Sequence, residues 1–361
     1  IDAYFEALES AETTATMVAG GRSVPEPFRS AQRWLNKRKI QRWCGRTTGE
    51  VIADTITDPK LASVLSAQWG TYGGKPTEAS FAAHAIVMRH YLDGAGYPVG
   101  GASAIAAGLV PVIEAAGGSA RPATPVSEIL FEEGKAIGVR TSAGEEIKAP
   151  VIVSAIGAGE TVKRLLPEQI VEQDWAREIA SFKPAICHFE VYLGFEGDIA
   201  RHGATRSNHW FYESWDTDEG IWAADGGGPI PMMFASFPSL KDPEHDPGPS
   251  NKHTGQAMVW ADWSSVAEFA DREPGERAAE WTAFKQEVEA KLMALFAEKF
   301  PALAPLVVYR ELGTHLATAA FTRHENGGFY GVEITPRRIL SEALAARTHD
   351  PALILTGQDV M

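Results

Sequence analysis

Cysteine is scarce in this sequence. Its 361 residues hold only Cys44 and Cys187, too few for a disulfide framework, so two free thiols in a reducing compartment are expected. Metal-ligand spacing is missing too. The ten histidines are scattered, with no His-x3-His pair and no Cys-x2-Cys. His84 and His90 stand six apart and do not share a helix face, so no metal site is expected. A basic surplus is also lacking: Lys and Arg number 33 against 47 Asp and Glu, a net charge of -14. Nucleic-acid binding needs a basic surface to neutralise phosphates, and this balance argues against it; it also disfavours docking on anionic lipid. The most apolar window, Ala102 to Ala116, is shorter than the ~20 residues of a membrane span and contains Pro111 and Glu114. Peripheral membrane contact stays open. No Gly-x-Ser-x-Gly elbow offers a nucleophile. Cys187 alternates into the apolar face of a strand pattern, which reads as a buried structural thiol.

What is present suits a folded globular protein. The chain is 45% hydrophobic and 22% charged, the balance of a soluble globular protein able to bury one or two cores. Residues 1–95 read mainly as helices, with Phe28, Trp34, Leu35, Ile40 and Trp43 as apolar anchors among Arg and Lys. Phe81 to Leu92 reads as a helix broken by the glycines of Gly94 to Gly101. Ser103 to Ala116 reads as another, stopped by Gly117-Gly118. The period then changes. Ser119–Arg121, Val126–Phe131, Ala136–Thr141 and Val151–Ile156 are predicted strands, with turns at Glu133-Gly134 and Ala143-Gly144.

In residues 185–345, Cys187, Phe189, Val191, Leu193 and Phe195 alternate with His188, Glu190 and Tyr192, a half-buried strand. Asn208–Ser214 and Met232–Phe237 are further strands. Asp242 to His253 is a loop. Trp281, Phe284, Val288, Leu292, Leu295 and Phe296 mark a long amphipathic helix ended by Pro301.

Candidate binding features are few. The strand ending at Ile156 meets Gly157-Ala-Gly159, but the third glycine slot of a dinucleotide fingerprint holds Val162. A glycine turn between strand and helix still lets a phosphate or ribose approach the backbone. Gly94 to Gly101 suits either a phosphate nest or an interdomain turn. A short apolar strand, Leu353 to Leu355, runs into Gly357-Gln358-Asp359, where a carboxylate repels pyrophosphate but accepts sugar or ribityl hydroxyls. Most of the many Trp and Tyr residues are expected in cores, the rest around a large apolar pocket. With Ile1 at one end and this turn at the other, the sequence reads as an internal piece of a larger enzyme.

Taken together, several segments resemble one family. Gln68-Trp-Gly-Thr-Tyr-Gly73 and His90-Tyr-Leu-Asp-Gly-Ala-Gly-Tyr-Pro-Val-Gly-Gly101 resemble the middle of flavoproteins related to phytoene desaturase, in the carotenoid isomerase and retinol saturase branch. Val126-Ser-Glu-Ile-Leu130, Gly138-Val-Arg-Thr141 and Val151-Ile-Val-Ser-Ala-Ile-Gly157 are similar to its FAD-domain meander and return strand. Phe237-Pro-Ser-Leu-Lys-Asp-Pro243, Phe329-Tyr-Gly-Val-Glu-Ile-Thr-Pro336 and Leu353-Ile-Leu-Thr-Gly-Gln-Asp359 follow in the family's order.

The resemblance implies a mixed α/β, two-domain, FAD-dependent amine-oxidase-like fold, truncated at both ends. Residues 1–96 would be the helical part of a substrate domain. Residues 97–160 would belong to the FAD-binding domain, 161–345 to the substrate domain, and 346–361 to a final FAD-domain strand. It implies an oxidoreductase that moves hydride between flavin N5 and a carbon–carbon bond of an apolar polyene, as in carotenoid and retinoid metabolism. Gly100, Gly101, Val126, Ser154, Gly157, Gly357, Gln358 and Asp359 would lie along FAD. Trp69, Tyr72 and Tyr97 would wall the substrate. No catalytic residue stands out, since such chemistry belongs largely to the cofactor. An amine oxidase on the same fold and a non-catalytic carrier of apolar lipid are the alternatives. The family's Gly-x-Gly-x-x-Gly unit is missing from these residues, so residues 1–361 alone are expected not to hold FAD. A cytoplasmic location, with membrane association left open, completes the reading.

Overall fold

The structure, a computed structural model, describes residues 1–22, 24, 25, 27–224, 228–272 and 278–360; Met361 of the terminal segment lies outside them. The chain divides into two compact units. One gathers Ile1–Gly94, Ala123–Ile186 and Thr318–Met361, and the other Ala95–Pro122 and Cys187–Ala317.

The first unit opens with the helix Asp2–Gly21, whose Tyr4, Leu8, Ala11, Ala15 and Val18 recur at three and four and are buried. This stripe packs with the helix Phe81–His90, which Ser80 caps by accepting from the Ala82 N–H. A capping box, Thr47 with Glu50, starts the helix Thr48–Thr55; it satisfies end donors that would otherwise lack partners. Of the expected anchors, Ile40 is buried, but Phe28, Trp34 and Leu35 are exposed. An apolar stripe becomes core only where another element covers it, and in the helix Phe28–Leu35 no residue is buried.

Three antiparallel strands follow: β1 (Val126–Glu132), β2 (Lys135–Thr141) and β3 (Glu146–Lys148). Glu133 and Gly134 both take positive φ between the paired Glu132 and Lys135, the backbone a two-residue hairpin requires. β4 (Ile152–Ser154) pairs parallel with the C-terminal strand Leu353–Leu355. Ile152, Leu353, Ile129 and Leu165 join in one buried cluster behind them. Ser119–Arg121 is not a strand but exposed coil; it joins no sheet among the described residues.

The second unit is built on a six-stranded sheet: β5 (Cys187–Glu196), β6 (His209–Tyr212), β7 (Ile221–Trp222), β8 (Met232–Ser236), β9 (Lys252–Ala261) and β10 (Val307–Gly313). The order is β10-β5-β9-β8-β6, with β7 parallel on β9. One sheet face carries Phe189, Val191, Leu193, Phe195, Met233, Ala235, Ala257 and Val259. The helix Ala278–Lys299 lays Val288, Leu292 and Phe296 on that face, spaced four apart. The helix Ser103–Ala115 also falls in this unit, and no residue in it is buried. Among the described residues no helix is long and apolar enough to cross a membrane.

Candidate functional site

Parallel strands end together, and their carboxyl ends open a crevice where open α/β sheets take ligands. β4 and Leu353–Leu355 make such an edge. Each strand exits into a glycine of positive φ, Gly157 at 107° and Gly357 at 96°. The exits are stitched together: the Thr356 N–H donates to the Ser154 carbonyl at 2.9 Å. A Cβ on Gly357 would stand 3.3 Å from the Ala155 carbonyl oxygen, so glycine permits the close run of the two chains. Behind the edge, the Ser154 and Thr161 hydroxyls are 2.7 Å apart, and Thr161 donates to the Gly157 carbonyl. The segment Ala158–Glu160 is α-helical, but Thr161–Leu165 continues as π-helix, a wider turn than the regular helix the pattern suggested.

Asp359 organises this edge from beneath. It is 1% exposed. One carboxylate oxygen accepts the Ala158 N–H at 2.8 Å and the other the Val332 N–H at 2.9 Å. Gly331, at φ 72°, passes so close that a Cβ there would lie 1.9 Å from Asp359 Oδ1. Arg338, also buried, donates to the carbonyls of Val332 and Gln358; burial lowers its pKa and the Asp359 charge opposes that. His324 lies nearby, its ring nitrogens 2.9 Å from the Gly328 carbonyl and 3.1 Å from that of Ile156. Three distant stretches, 155–161, 324–338 and 356–359, thus meet at one carboxylate.

The other residues singled out from sequence are dispersed. Ser154, Gly157, Gly357, Gln358 and Asp359 share this edge, and Gln358 is exposed there. Val126 begins β1 in the three-stranded sheet of the same unit, paired with Thr141. Gly100 and Gly101, both at positive φ, fall in the second unit, where the Gly100 N–H donates to both Asp242 oxygens at 3.1 Å. The anion in that turn is the protein's own carboxylate. Trp69 and Tyr72 are buried in the first unit, and the Tyr72 hydroxyl lies 3.1 Å from His84 Nδ1. Tyr97, half-exposed, belongs to the second unit. The Gln68–Gly73 and Phe329–Pro336 segments meet: Tyr330 donates to the Gly70 carbonyl at 2.9 Å, and a Cβ on Gly73 would collide with its ring at 2.2 Å.

The sheet face opposite the second unit's core was not legible as a site. Strand pairing sets its members, because residues directly opposite across a ladder share a face. His188 faces Trp260, Glu190 faces Met258, Phe234 faces Met258, Trp210 faces Phe234 and Tyr212 faces Met232. The result is a bed of methionine and aromatic side chains, with Met232, Met258 and Trp260 buried. Within it lie two buried ionisable groups, His188 Nε2 and Glu190 Oε2, 3.6 Å apart. Tyr192 follows at the next position of the same face and hydrogen-bonds Glu190; burial and that carboxylate push its pKa up to about 12. Gly313, opposite Glu190, makes room for the Tyr192 ring. The alternation along β5 was visible in sequence, but it marked His188 and Glu190 as the solvent side.

Both thiols are core groups. Burial pushes Cys44 up to about 11 and Cys187 to about 12, and the thiolate is the reactive form. Neither cysteine is therefore expected to react with a thiol reagent at neutral pH until the protein unfolds. Rapid stoichiometric labelling of the native protein would contradict this. No cluster of metal-ligating side chains occurs among the described residues.

No family profile matches the chain. It is 29% identical over 339 residues to all-trans-retinol 13,14-reductase of Danio rerio, covering 89% of this chain and 55% of that protein. It is 24% identical over 288 residues to the chloroplastic prolycopene isomerase of Arabidopsis thaliana (79% and 45%). It is 31% identical over 230 residues to the neurosporene-forming phytoene desaturase of Cereibacter sphaeroides (59% and 43%). The chain spans about half the length of the curated relatives it matches. Among solved structures, an oxidoreductase from Methanosarcina mazei aligns with a TM-score of 0.58 at 16% identity, covering 94% of this chain and 69% of that one. Cyclohexylamine oxidase from Brevibacterium oxydans aligns with a TM-score of 0.55 at 13% identity, covering 100% and 70%. These likenesses establish a mixed helix-and-sheet fold of the oxidoreductase and amine-oxidase type.

Proposed function

The chain belongs to the phytoene desaturase-like family, and from that premise we propose that the protein is an FAD-dependent oxidoreductase acting on a carbon–carbon bond of an apolar polyene. The observation that carries this reading is the pair of glycine turns at the carboxyl ends of two parallel strands. A dinucleotide fits such an edge because the backbone there carries no Cβ to hold its phosphates and sugars away. The backbone at Gly157 and Gly357 and the exposed side chain of Gln358 would meet the cofactor. Asp359 would act through them, since both its oxygens already hold the turns in place. When bound, FAD supplies or accepts hydride at N5. The relatives' names support the substrate class: retinol, prolycopene and phytoene.

The methionine and aromatic face of the second unit is by itself suited to hold an apolar chain. Polarizable thioethers and ring faces suit a long conjugated chain without demanding hydrogen bonds.

The test uses the protein expressed at the length of its relatives. Flavin absorption is expected, with bleaching when a polyene dehydrogenation substrate is added without oxygen. A folded protein without flavin would remove the oxidoreductase and leave the lipid carrier. The amine-oxidase alternative rests on likeness of fold alone, which does not establish function.

A further inference from the structure

We propose that residues Phe28 to Trp43 form a docking face for a bilayer bearing anionic headgroups. The proposal does not rest on the oxidoreductase reading. Two short helices, Phe28–Leu35 and Lys37–Trp43, follow one another here. The first is inside out for a helix of a water-soluble protein. Its arginines point to the protein: Arg33 pairs with Glu342 at 2.8 Å and donates to the Leu340 carbonyl at 3.3 Å, and Arg29 lies 3.8 Å from Glu342. Its large apolar side chains point away. Phe28 is 70% exposed, Trp34 75% and Leu35 74%. Phe28, Ala31 and Leu35 recur at three and four and so share one outward stripe, with Trp34 beside it.

The charge of the segment selects the occupant. Between residues 28 and 43 stand Arg29, Arg33, Lys37, Arg38, Lys39 and Arg42, with no acidic residue, in a chain whose net charge is -14. Lys37, Arg38, Lys39 and Arg42 are exposed. Outward Trp, Phe and Leu flanked by Lys and Arg are the pattern of a helix lying in a membrane interface, with rings at headgroup depth and cations on the lipid phosphates. The chain's overall charge opposes contact with anionic lipid, but screening limits repulsion to about 8–10 Å at physiological salt. A local basic patch therefore acts on its own. Such a face would put an apolar substrate within reach of the phase that dissolves it.

Flotation of the 361-residue chain with phosphatidylcholine vesicles, with and without phosphatidylserine, tests the proposal. Binding is expected to need phosphatidylserine and to weaken as salt rises. Trp34→Ser with Leu35→Ser should weaken it at least tenfold, and folding is spared because both side chains are already in water. Lys37→Glu, Arg38→Glu and Lys39→Glu together should weaken it about a hundredfold or more, at ~1 kcal/mol for each basic residue near an anionic surface. No binding to phosphatidylserine vesicles, or binding unchanged in Trp34→Ser/Leu35→Ser, overturns it. So does a dimer that dissociates in that variant while vesicle binding stays absent, which would assign the face to a second copy of the chain.

Discussion

Replacing Asp359 by alanine is expected to lower the unfolding free energy by about 3–5 kcal/mol, the range for breaking a buried charged contact. Two effects add. The Ala158 and Val332 N–H groups lose their acceptor inside the protein, and each orphaned buried donor costs about 1–3 kcal/mol. The buried Arg338 also loses the nearby negative charge that offsets its desolvation. Asp359→Asn keeps an acceptor for one N–H but turns a donor toward the other, so about half the loss is expected. Gly331 supplies the control. In the native background Gly331→Ala brings a Cβ to 1.9 Å from Asp359 Oδ1 and forces alanine to positive φ. In the Asp359→Ala background the collision is gone, leaving only the ~1–2 kcal/mol of left-handed backbone. Urea unfolding of the four proteins gives the coupling directly. Additive effects, or a cost below ~1 kcal/mol for Asp359→Ala, would show that the carboxylate does not hold the three turns together.

Acid is expected to destabilise the protein from pH ~6.5 downward through its buried histidines. His84 is fully buried, with the Tyr4 hydroxyl 2.8 Å from Nε2 and the Tyr72 hydroxyl 3.1 Å from Nδ1. His315 is fully buried with its Nε2 3.3 Å from the Ala261 carbonyl. Burial lowers both to about 3. For a base with a depressed folded pKa the unfolded chain binds the proton first. The neutral histidine's contribution is therefore complete above pH ~6.5 and lost as pH falls toward 3, at ~1.4 kcal/mol per pH unit for each group. Carboxylates add their own losses, so the diagnostic is a difference. His84→Gln should flatten the slope between pH 6 and 4 by about 1.4 kcal/mol per unit, whatever it does to stability at neutral pH. An unchanged slope would mean that His84 titrates normally.

The sequence carried the secondary structure well wherever pattern and burial coincide. The alternation from Cys187 to Phe195 became β5, and the apolar spacing from Trp281 to Phe296 became the helix Ala278–Lys299. Both elements bury one face, and a one-sided burial writes itself into the period of the chain. Elements without such a signature were missed or misread. β3 is exposed along its length and has no apolar period to announce it. Ser119–Arg121, read as a strand, is exposed coil. The anchors Phe28, Trp34 and Leu35 had the right chemistry for a core, and only their direction in space puts them on the outside.

By itself, the sequence determined a mixed helix-and-sheet protein with the resemblance to the phytoene desaturase-like family, because the order of its motifs and the turn glycines are properties of the chain alone. Only the tertiary structure decided what the side chains at those motifs do. Asp359 reads as a ligand-facing acceptor in one dimension and becomes a clamp in three, because Ala158 and Val332 arrive at its two oxygens from 201 and 27 residues away. Gly100, in a stretch that reads as either a phosphate nest or an interdomain turn, donates its N–H to Asp242, 142 residues along. His188 and Glu190 read as solvent-facing and are buried, because strand pairing brings Trp260 and Met258 beside them. Local pattern records which face of an element is apolar; what lies against that face is settled by contacts between residues far apart in the chain.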